Sequence, residues 1–263
     1  MVALILLIGL VVVAWVTCYV LFNDLMLPTI DLKKYRNILF VYAHMDDETV
    51  LAGGIMARAV KEGKKVTLMT LTRGEKGNNS RVADNVLPAI RQAELDNALS
   101  QFGVKNLIHL DYEDETLTQK KVLLKRDIGH TMRTLKPDLV VTFDLAGWYG
   151  HADHIACAEA VTEVRKEAFK TVDLWYSVRP DAINRAARLV AQLTARGPLN
   201  ARPKPQYKIS ILQHVIAKIR AVYGYRSQMA ALRPGVTIGP VPMWFFMSTQ
   251  PYEYIISVPY GTH

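Results

Sequence analysis

The chain has 263 residues, of which half are apolar and 21% charged, enough to bury one α/β core without a disulfide scaffold. This composition excludes a mainly disordered, collagen-like or coiled-coil chain, and the two cysteines, Cys18 and Cys157, indicate no redox compartment. The formal net charge of +8 is compatible with nucleic acid or with an anionic lipid surface as a partner. We therefore expect one globular domain with a basic surface.

The N-terminal segment is strongly apolar. Val2 to Phe22 is 21 residues without Asp, Glu, Lys, Arg or His, and a helix of that length spans about 30 Å of hydrocarbon. We predict a transmembrane anchor over residues 1–23, a linker over 24–36 and a catalytic domain over 37–263. A cleaved signal peptide or a buried core helix would also be apolar, but the segment lacks a basic n-region and a polar face.

Basic residues near this segment predict its orientation and its surroundings. Lys33, Lys34 and Arg36 follow the segment, whereas only the terminal amine precedes it, which favours a single-pass protein with a cytosolic domain. A net charge of +5 lies between Asp181 and Lys208, and no helix-turn-helix, zinc-finger or RNA-binding signature accompanies it. We therefore expect membrane lipids, and not nucleic acid, as the partner of the basic surface.

Apolar runs of strand length alternate with longer amphipathic runs after the linker. The predicted strands are Asn37–Ala43, Lys65–Leu71, Asn106–Leu110 and Leu139–Phe143, and the predicted helices between them are Glu48–Glu62, Pro88–Phe102 and Gln119–Leu135. Strands with nearly continuous apolar residues are typical of a parallel sheet that helices cover on both faces. The pattern predicts an α/β fold with a Rossmann-like, doubly wound, mostly parallel sheet.

The remaining predicted elements lie beyond residue 171. They are a strand at Val172–Val178, a helix at Ile183–Ala195, a loop at Gly197–Pro205, a helix at Gln213–Leu232 with Gly224 as its weak point, and a strand at Tyr252–Val258. The first of these helices has an apolar stripe that begins at Ile183, and basic residues that include Arg185 and Arg188. This amphipathic helix could lie on the membrane surface, or its arginines could simply form a solvated helix face.

Polar clusters follow two of the predicted strands. His44, Asp46 and Asp47 form an H-x-D-D pattern after the first strand, and His151 and His154 open the helix after the fourth. Ligands of doubly wound sheets bind outside the carboxyl ends of the strands, so these residues are candidates for a binding site. Taken alone, Asp46 and Asp47 could equally be helix-capping carboxylates, and His44 a hydrogen-bonding residue at the end of a strand.

Together the two clusters supply what a catalytic zinc site requires, namely about three nitrogen or oxygen ligands and an open position. His44, Asp47 and His154 would hold Zn²⁺ or another divalent transition metal such as Fe²⁺. Asp46 would act as the general base towards the water that the metal activates. His151, one helical turn from His154, would stabilise a developing oxyanion or protonate a leaving nitrogen.

Five sequence blocks resemble, in the same order, those of the PIG-L/LmbE-like family of zinc-dependent N-deacetylases. They are Ala43–Glu48, which is similar to the family signature A-H-P-D-D-E, and then Leu71–Glu75, Arg91–Leu95, Gly150–His154 and Tyr225–Gln228. Two positions depart from the family pattern, because Met45 replaces a proline and Tyr225 replaces a histidine. The resemblance extends from about Asn37 to Val258.

This resemblance implies a zinc-dependent hydrolase that removes acetyl from an N-acetylglucosamine-containing substrate, with the metal ligands and the base assigned above. It also implies that Glu75, Arg91 and Tyr149 lie near the substrate. The predicted anchor favours a lipid-linked substrate, although a soluble conjugate fits as well. The alternative is a non-catalytic glycan- or nucleotide-binding module on the same fold, although the first βα turn lacks the G-x-G-x-x-G pattern of dinucleotide sites.

Overall fold

The computed structural model describes residues 1–77, 83, 85–193, 202–236 and 241–258, with backbone only for 189–193 and 234–235. The strands are β1 Asn37–Tyr42, β2 Lys65–Thr72, β3 Asn106–Tyr112, β4 Leu139–Phe143, β5 Asp173–Val178, β6 Tyr207–Ser210 and β7 Tyr252–Val258. The helices are α1 Val2–Phe22, α2 Asp47–Lys61, α3 Leu87–Phe102, α4 Lys121–Leu135, α5 Gly147–Gly150, α6 Ala152–Ala168, α7 Asp181–Leu193, α8 Val215–Gly224, α9 Met229–Val236 and α10 Met243–Ser248.

In the described part of the chain the strands form one sheet in the order β3-β2-β1-β4-β5-β7-β6. The first five strands are parallel, and β7 pairs antiparallel with both β5 and β6. The strand order reverses between β1 and β4, where Phe40 lies opposite Val141. His44 and Asp144 therefore follow neighbouring strand ends at the switch point, where doubly wound sheets bind their ligands.

The apolar strand sequences explain the layered core. The side chains of β1, β4 and most of β2 are buried, because α2 and α3 cover one face of the sheet while α4 and α6 cover the other. Helix α3 ends at Phe102, and the next residue, Gly103, has a φ of +71°, the left-handed conformation that glycine adopts readily after a helix end. The predicted α/β fold, doubly wound and mostly parallel, is confirmed.

Some predicted elements differ from the structure. The helix predicted over Gln213–Leu232 is broken at its weak point, because α8 ends at Gly224 and a 3₁₀ turn at Arg226–Gln228 precedes α9. At this break Tyr225 is fully buried and its hydroxyl donates to Glu48, so tertiary contacts override the local helical preference. Neither β6 nor α10 is predicted from the sequence. The predicted loop over Gly197–Pro205 lies mostly outside the described residues.

The helix α1 stands apart from the core for most of its length. Of the helices in the described residues, it alone is long and apolar enough to cross a membrane. Its final turns contact α10, where Nε1 of Trp15 donates to Oγ of Ser248 at 3.0 Å and the ring of Phe22 packs 5.3 Å from that of Phe246. The next residue, Asn23, is buried and donates to the carbonyl of Thr249 at 2.8 Å. The end of α1 is thus fixed against the domain.

Helix α7 differs from the expectation of a helix that lies freely on a surface. Ile183, at the start of its apolar stripe, is buried in the domain and does not face outwards. Arg185 binds the carboxylate of Asp181 at 2.5 Å and lies 3.7 Å from that of Asp24. Ile183 therefore packs within the domain and not on a lipid surface, whereas the exposed Arg185 is paired with the carboxylates of Asp181 and Asp24.

Candidate active site

The turn between β1 and α2 places three of the predicted residues at the carboxyl edge of the sheet. His44 is buried, and its backbone N–H donates a 2.8 Å hydrogen bond to Oδ2 of Asp47. Asp46 has a φ of +116°, a backbone conformation that costs a non-glycine residue on the order of 1–3 kcal/mol. All residues of α2 are described, and the Asp46 carboxylate makes no capping hydrogen bond to any of them. The helix-capping interpretation therefore fails for Asp46.

The turn between β4 and α6 is also strained. Trp148 has a φ of +60°, which is unfavourable for a residue with a bulky side chain. His151 is the N-cap residue of α6, and its Nδ1 accepts a hydrogen bond from the backbone N–H of Asp153 at 3.2 Å. One turn further on, His154 is fully buried, and its ring stacks 4.1 Å from that of Phe143. The end of β4 thus supports the His154 imidazole directly.

Three side chains from these two turns converge on one point. Nδ1 of His44 lies 3.1 Å from Nε2 of His154, and the carboxylate of Asp47 lies 3.3 Å from each of these nitrogens. Zinc is bound at about 2.0–2.1 Å by nitrogen and oxygen ligands, so two ligands of a tetrahedral ion are roughly 3.3–3.4 Å apart. The donor atoms of His44, Asp47 and His154 therefore fit a divalent metal ion in both chemistry and spacing.

The hydrogen bonds behind the two imidazoles fix their tautomers. Nε2 of His44 lies 3.1 Å from the carboxylate of Asp153, and Nδ1 of His154 lies 3.3 Å from the carbonyl of Gly147. Because a carbonyl and a carboxylate only accept, the proton of each neutral imidazole is on this outer nitrogen. The inner nitrogens then face each other with their lone pairs, an arrangement that a cation between them stabilises.

The electrostatics of this point also favour positive charge. Burial opposes a charged imidazole, but hydrogen bonds to Asp153 and Asp47 outweigh it and raise the pKa of His44 to about 10. Burial likewise opposes the charged form of Asp47, yet His154 and His44 hold the pKa of this carboxyl well below its ordinary value. The same carboxylates would attract a divalent cation.

His151 lies close enough to be considered as a metal ligand as well. One ligand nitrogen from each of His44, His151 and His154 lies within 4.8 Å of the other two. This spacing is wider than the 3.1–3.3 Å that separates the donors of His44, Asp47 and His154. The structure therefore offers two donor sets that share two histidines, and the set that contains Asp47 is the tighter one.

The charge states of Asp46 and His151 differ from those of the ligand set. Burial, opposed by Arg91 and reinforced by Asp47, raises the pKa of Asp46 to about 8. Burial and repulsion from the neighbouring histidines lower the pKa of His151, which favours its neutral form at pH 7. Because Nδ1 of His151 accepts a hydrogen bond, the proton of the neutral ring is on Nε2.

Arg91 of α3 is placed beside Asp46. Its Nη2 lies 3.5 Å from Oδ2 of Asp46 and donates to the carbonyl of Met45, while its Nη1 donates to the carbonyl of Gly74 at 3.0 Å. The side chain is almost fully buried. Arg91 thus joins the loops that follow β1 and β2 and holds them next to Asp46.

Tyr149 and Glu75 stand in different relations to the site. Tyr149 is exposed, and its ring lies 5.1 Å from that of His154, at the opening above the ligand set. Glu75 instead accepts a hydrogen bond from the backbone N–H of Asp114 at 2.9 Å. Asp114 in turn has a carboxylate oxygen 3.9 Å from Nε2 of His44. The structure therefore brings Tyr149 to the site. Glu75 does not reach the candidate metal ligands itself and is connected to His44 through Asp114.

Asp153 supports the site, a role that is not among the predictions from the sequence. Its carboxylate binds His44 and accepts hydrogen bonds from the backbone N–H groups of Glu115 at 2.6 Å and Leu117 at 3.1 Å. A metal-binding histidine usually donates its other nitrogen to such a carboxylate. The position of Asp153 between the two histidines of the H-A-D-H block was the available signal.

Hydrogen bonds join the five sequence blocks to one another and indicate a structural role for the less specific blocks. Oε2 of Glu48 accepts from the backbone N–H of Asp46 at 2.9 Å, and its Oε1 accepts from the Tyr225 hydroxyl at 2.7 Å. The carboxylate of Glu94 accepts from the backbone N–H and the hydroxyl of Ser227 at 2.8 and 2.6 Å. The tyrosine that replaces a family histidine therefore supports the loop of Asp46 through Glu48.

The fold and the site together define an α/β enzyme domain with a candidate divalent-metal centre at its switch point. The family model PIG-L, described as GlcNAc-PI de-N-acetylase, matches residues 39–165. The 1D-myo-inositol 2-acetamido-2-deoxy-alpha-D-glucopyranoside deacetylase of Mycobacteroides abscessus is 30% identical over 230 residues, which cover 77% of this chain and 81% of that protein. The chain belongs to the PIG-L family of deacetylases, and the resemblance seen in the sequence is confirmed.

Two further comparisons define the extent of this similarity. The deacetylase of the same name from Segniliparus rotundus is 35% identical over 159 residues, which are 49% of this chain and 50% of that protein. The chain therefore spans about half the length of that relative. The structure of N,N'-diacetylchitobiose deacetylase from Pyrococcus horikoshii matches with a TM-score of 0.62 at 20% identity, covering 87% of this chain and 85% of that one. This match shows the shared fold.

Proposed function

We propose that this chain is a metal-dependent N-deacetylase that removes acetyl from an N-acetylglucosamine-containing substrate and releases acetate. The observation that supports this most directly is the 3.1–3.3 Å spacing of the donors of His44, Asp47 and His154. The strained Asp46 beside them, whose carboxylate caps no helix, is the second support. A non-catalytic binding module would have no need of such a residue, and the relatives named above are deacetylases.

Zinc is the metal that we propose, with Fe²⁺ as the other candidate, because two histidines and one carboxylate are a common set for catalytic zinc. His44, Asp47 and His154 would hold the ion. When bound, it would polarise the acetyl carbonyl and lower the pKa of water towards neutrality. Asp153 and the Gly147 carbonyl would keep the two imidazoles in the tautomers that leave their inner nitrogens free to bind.

Asp46 is the proposed general base. Its position is set before any substrate binds, since Glu48 accepts from its backbone N–H and Arg91 lies 3.5 Å from its carboxylate. The carboxylate would take a proton from the water that attacks the acetyl carbon and then transfer it to the departing nitrogen. The C–N bond breaks, the acetyl group gains the water oxygen as acetate, and the sugar keeps a free amine.

His151 and Tyr149 would act on the substrate from the opening of the site. The proton on Nε2 of His151 is available to the acetyl oxygen as that oxygen becomes negative during attack. The neutral imidazole supplies this hydrogen bond without adding a second cation to the site. The exposed Tyr149, above His154, is placed to contact the sugar.

The test is acetate release by the purified full chain from a set of N-acetylglucosamine conjugates. The set contains a soluble inositol conjugate, N,N'-diacetylchitobiose and a lipid-linked glycoside, and Asp46→Asn serves as the matched inactive control. We expect equal amounts of acetate and free amine from at least one member, and the pattern across the set identifies the aglycone. A zinc-loaded protein that releases acetate from none of them would contradict the proposal.

We also propose that residues 1–23 anchor the catalytic domain of residues 37–263 to a membrane, with 24–36 as the connection and the domain in the cytosol. The last turns of α1 pack against α10 through Trp15 and Phe22. Residues 2–14 then rise only about 20 Å above the domain, less than the roughly 30 Å of a hydrocarbon core. An α1 that spans the bilayer therefore brings the exposed Trp244 of α10 into the membrane interface, where tryptophan is favoured.

The membrane proposal has its own test. The chain should stay in the membrane fraction after carbonate extraction, and protease added from the cytosolic side should reach the domain. Replacing Trp244 by a spectroscopically silent phenylalanine should remove a blue-shifted component from the tryptophan emission of the membrane-bound chain. A soluble product that lacks its first residues would show a cleaved signal peptide instead.

A further inference from the structure

Residues 182–252 hold the positive charge of the chain. They contain ten of the 32 Lys and Arg residues and none of the 24 Asp and Glu residues, so the rest of the chain carries a small net negative charge. In the structure this segment runs through nearly all of α7 and contains β6, α8, α9 and α10. Positive charge that is segregated in this way favours an anionic partner for the surface that these elements form.

Helix α8 presents an apolar stripe on the outside of this segment. Leu212, in the 3₁₀ turn before the helix, is 69% exposed, and Ile216 is 61% exposed. Tyr223 is exposed as well, and the spacing of four and seven residues places the three side chains on one face. The opposite face of α8 packs into the core through Val215 and Val222. The outer face of a surface helix is normally polar, so this stripe indicates a binding surface.

Two exposed arginines flank the stripe. Arg220 and Arg226 line, together with Tyr223, an open groove between α3 and α8. The carboxylate of Glu94 also lines this groove, but it already accepts two hydrogen bonds from Ser227. Neither guanidinium forms an ion pair with a carboxylate of the described residues. The stripe is therefore bordered by cations whose charge is available to an external anion.

Helix α10 connects the stripe to the end of α1. The backbone N–H of Trp244 donates to the hydroxyl of Tyr223 at 3.2 Å, and the side chain of Trp244 is 55% exposed. Phe246, two residues further along α10, packs its ring 5.3 Å from that of Phe22. The outer face of α8 is thus continuous, through α10, with the helix that is apolar and long enough to cross a membrane.

We propose that the outer face of α8, formed by Leu212, Ile216 and Tyr223, docks on an anionic lipid surface beside α1, with Arg220 and Arg226 among the headgroups. This inference rests on the proposed membrane attachment and adds a second contact to it. Aliphatic and aromatic side chains gain free energy by entering the lipid interface, and arginines are attracted to anionic headgroups. A nucleic acid would attract the arginines equally but would leave the aliphatic side chains in water.

Docking of this face would also orient the domain. The end of α8 that meets α10 is the end next to the candidate active site, because Tyr225, the residue after α8, donates to Glu48 at 2.7 Å. With α1 and the outer face of α8 both in contact with the membrane, the domain could not rotate freely about the anchor. The candidate site would then stay at one distance from the bilayer.

The first experiment measures where position 216 lies in vesicles. The full chain with Cys18→Ala, in which Cys157 is buried, carries one nitrobenzoxadiazole label at Ile216→Cys. It is reconstituted in vesicles of phosphatidylcholine and phosphatidylglycerol in equal parts, with or without brominated phosphatidylcholine. We expect a blue-shifted emission and at least about twofold quenching by the brominated lipid, because the label lies among the lipids.

The matched control is a label at Val122→Cys in α4. Val122 is 83% exposed, and α4 lies on the face of the sheet opposite to α2 and α3, against which α8 packs. The neighbouring Lys125 is paired with Glu167 at 2.7 Å, so this surface has mixed charge. The emission of this label should stay that of a label in water, without quenching.

The second experiment tests the charge of the surface. In the chain labelled at position 216, Arg220→Gln combined with Arg226→Gln should lower the quenching by at least about twofold. Vesicles of phosphatidylcholine alone should give a similar loss with the unsubstituted arginines. Arg133→Gln, which removes an exposed arginine of α4, is the matched control and should keep the full quenching.

A label at position 216 that stays as exposed and as unquenched as the label at position 122 would overturn the docking of this face. A blue shift without quenching would also overturn it, because protein, such as a second copy of the chain, would then cover the face. A blue shift with duplex DNA and none with vesicles would assign the face to nucleic acid. If carbonate releases the chain from membranes, the anchor proposal fails, while the quenching at position 216 still decides whether this face binds lipid.

Discussion

Two regions of the domain satisfy their buried polar groups in different ways. The proposed catalytic edge holds His44, Asp47 and His154, and the proposed anchor side is where Asn23 and Asp24 join the end of α1 to the domain. At the catalytic edge, His44 and Asp47 are three residues apart and bind each other as well as His154. On the anchor side, Asn23 donates to the carbonyl of Thr249, 226 positions along the chain. Asp24 likewise accepts from backbone N–H groups at the start of α7, at 2.6 and 3.2 Å. In the first region, two motifs with short internal spacing meet because they follow neighbouring strand ends. In the second region, single residues join distant segments of the chain.

This difference has consequences for what each region can tolerate. The catalytic edge gathers lone pairs and carboxylates around one point, so the loss of a single side chain there removes chemistry. The anchor side uses its polar groups to join segments, so the loss of one of them should weaken the fold and leave the chemistry unchanged. Arg185 is an example on the anchor side, because its guanidinium pairs with the carboxylates of Asp181 and Asp24 of the same chain.

Removing the metal should produce the largest effect. Because the donors of His44, Asp47 and His154 are spaced for one ion, the purified chain should contain about one zinc, and chelation should abolish acetate release. Metal analysis and a chelation and reloading series would measure this. His154→Ala should give the same loss without a chelator, whereas Arg185→Gln should keep its zinc and its activity. Full turnover after exhaustive metal removal would contradict the assignment of the catalytic edge.

Asp46 and His151 should have the next largest effect and should separate the two donor sets. If both act on protons and charge, Asp46→Asn and His151→Ala should keep zinc and lose about 10²–10⁴ in kcat. Asp47→Asn should lose the metal instead. Zinc content and steady-state rates are measured on the same preparations. Zinc loss in His151→Ala, with zinc kept in Asp47→Asn, would make His151 the third ligand.

The sequence predicted that His44, Asp47 and His154 lie together because these residues lie at fixed offsets from strand ends, while their roles stay predictions. The alternation of β and α runs places His44 and His154 at one edge, and the strands at Leu139–Phe143 and Tyr252–Val258 have the predicted bounds. The role of Asp153 was missed because it depends on which nitrogen of His44 faces the ligand point, and residue spacing does not contain that information.

The anchor side was harder to predict, for a physical reason. A helical stripe that begins at Ile183 has the same periodicity whether it packs on a domain or on a membrane. The position of Asp24 at the start of α7 depends on contacts more than 150 positions apart. The strand β6 and the helix α10 have only four and six residues, too few to show a period.

A substitution of Asp153 should have a smaller effect, on zinc affinity, and tests how the catalytic edge is supported. Asp153→Asn keeps the size of the side chain but weakens the hydrogen bond that fixes the His44 tautomer. Zinc affinity should therefore fall by about 10–100-fold, with kcat largely restored at saturating zinc. Competition with a chromogenic chelator measures the affinity. Unchanged affinity would mean that the backbone of the turn orients His44 without the carboxylate.

Asp24 should give the smallest effect and tests the separation of the two regions. Asp24→Ala removes the carboxylate that accepts from the backbone N–H groups of Asp181 and Ala182, so the start of α7 loses its cap. The free energy of unfolding should fall by about 1–2 kcal/mol, and by less in Asp24→Asn, because asparagine also caps helices.

Thermal unfolding of both variants beside the parent measures this, and about 2–4 °C is expected for each kcal/mol in a domain of this size. The kcat of zinc-loaded Asp24→Ala on a soluble substrate should stay within about twofold of the parent, because the hydrogen-bond and ion-pair partners described above for the candidate metal ligands lie outside α7. A loss of kcat without a loss of stability would instead show that the start of α7 is coupled to the catalytic edge, and the two regions could not then be treated as independent.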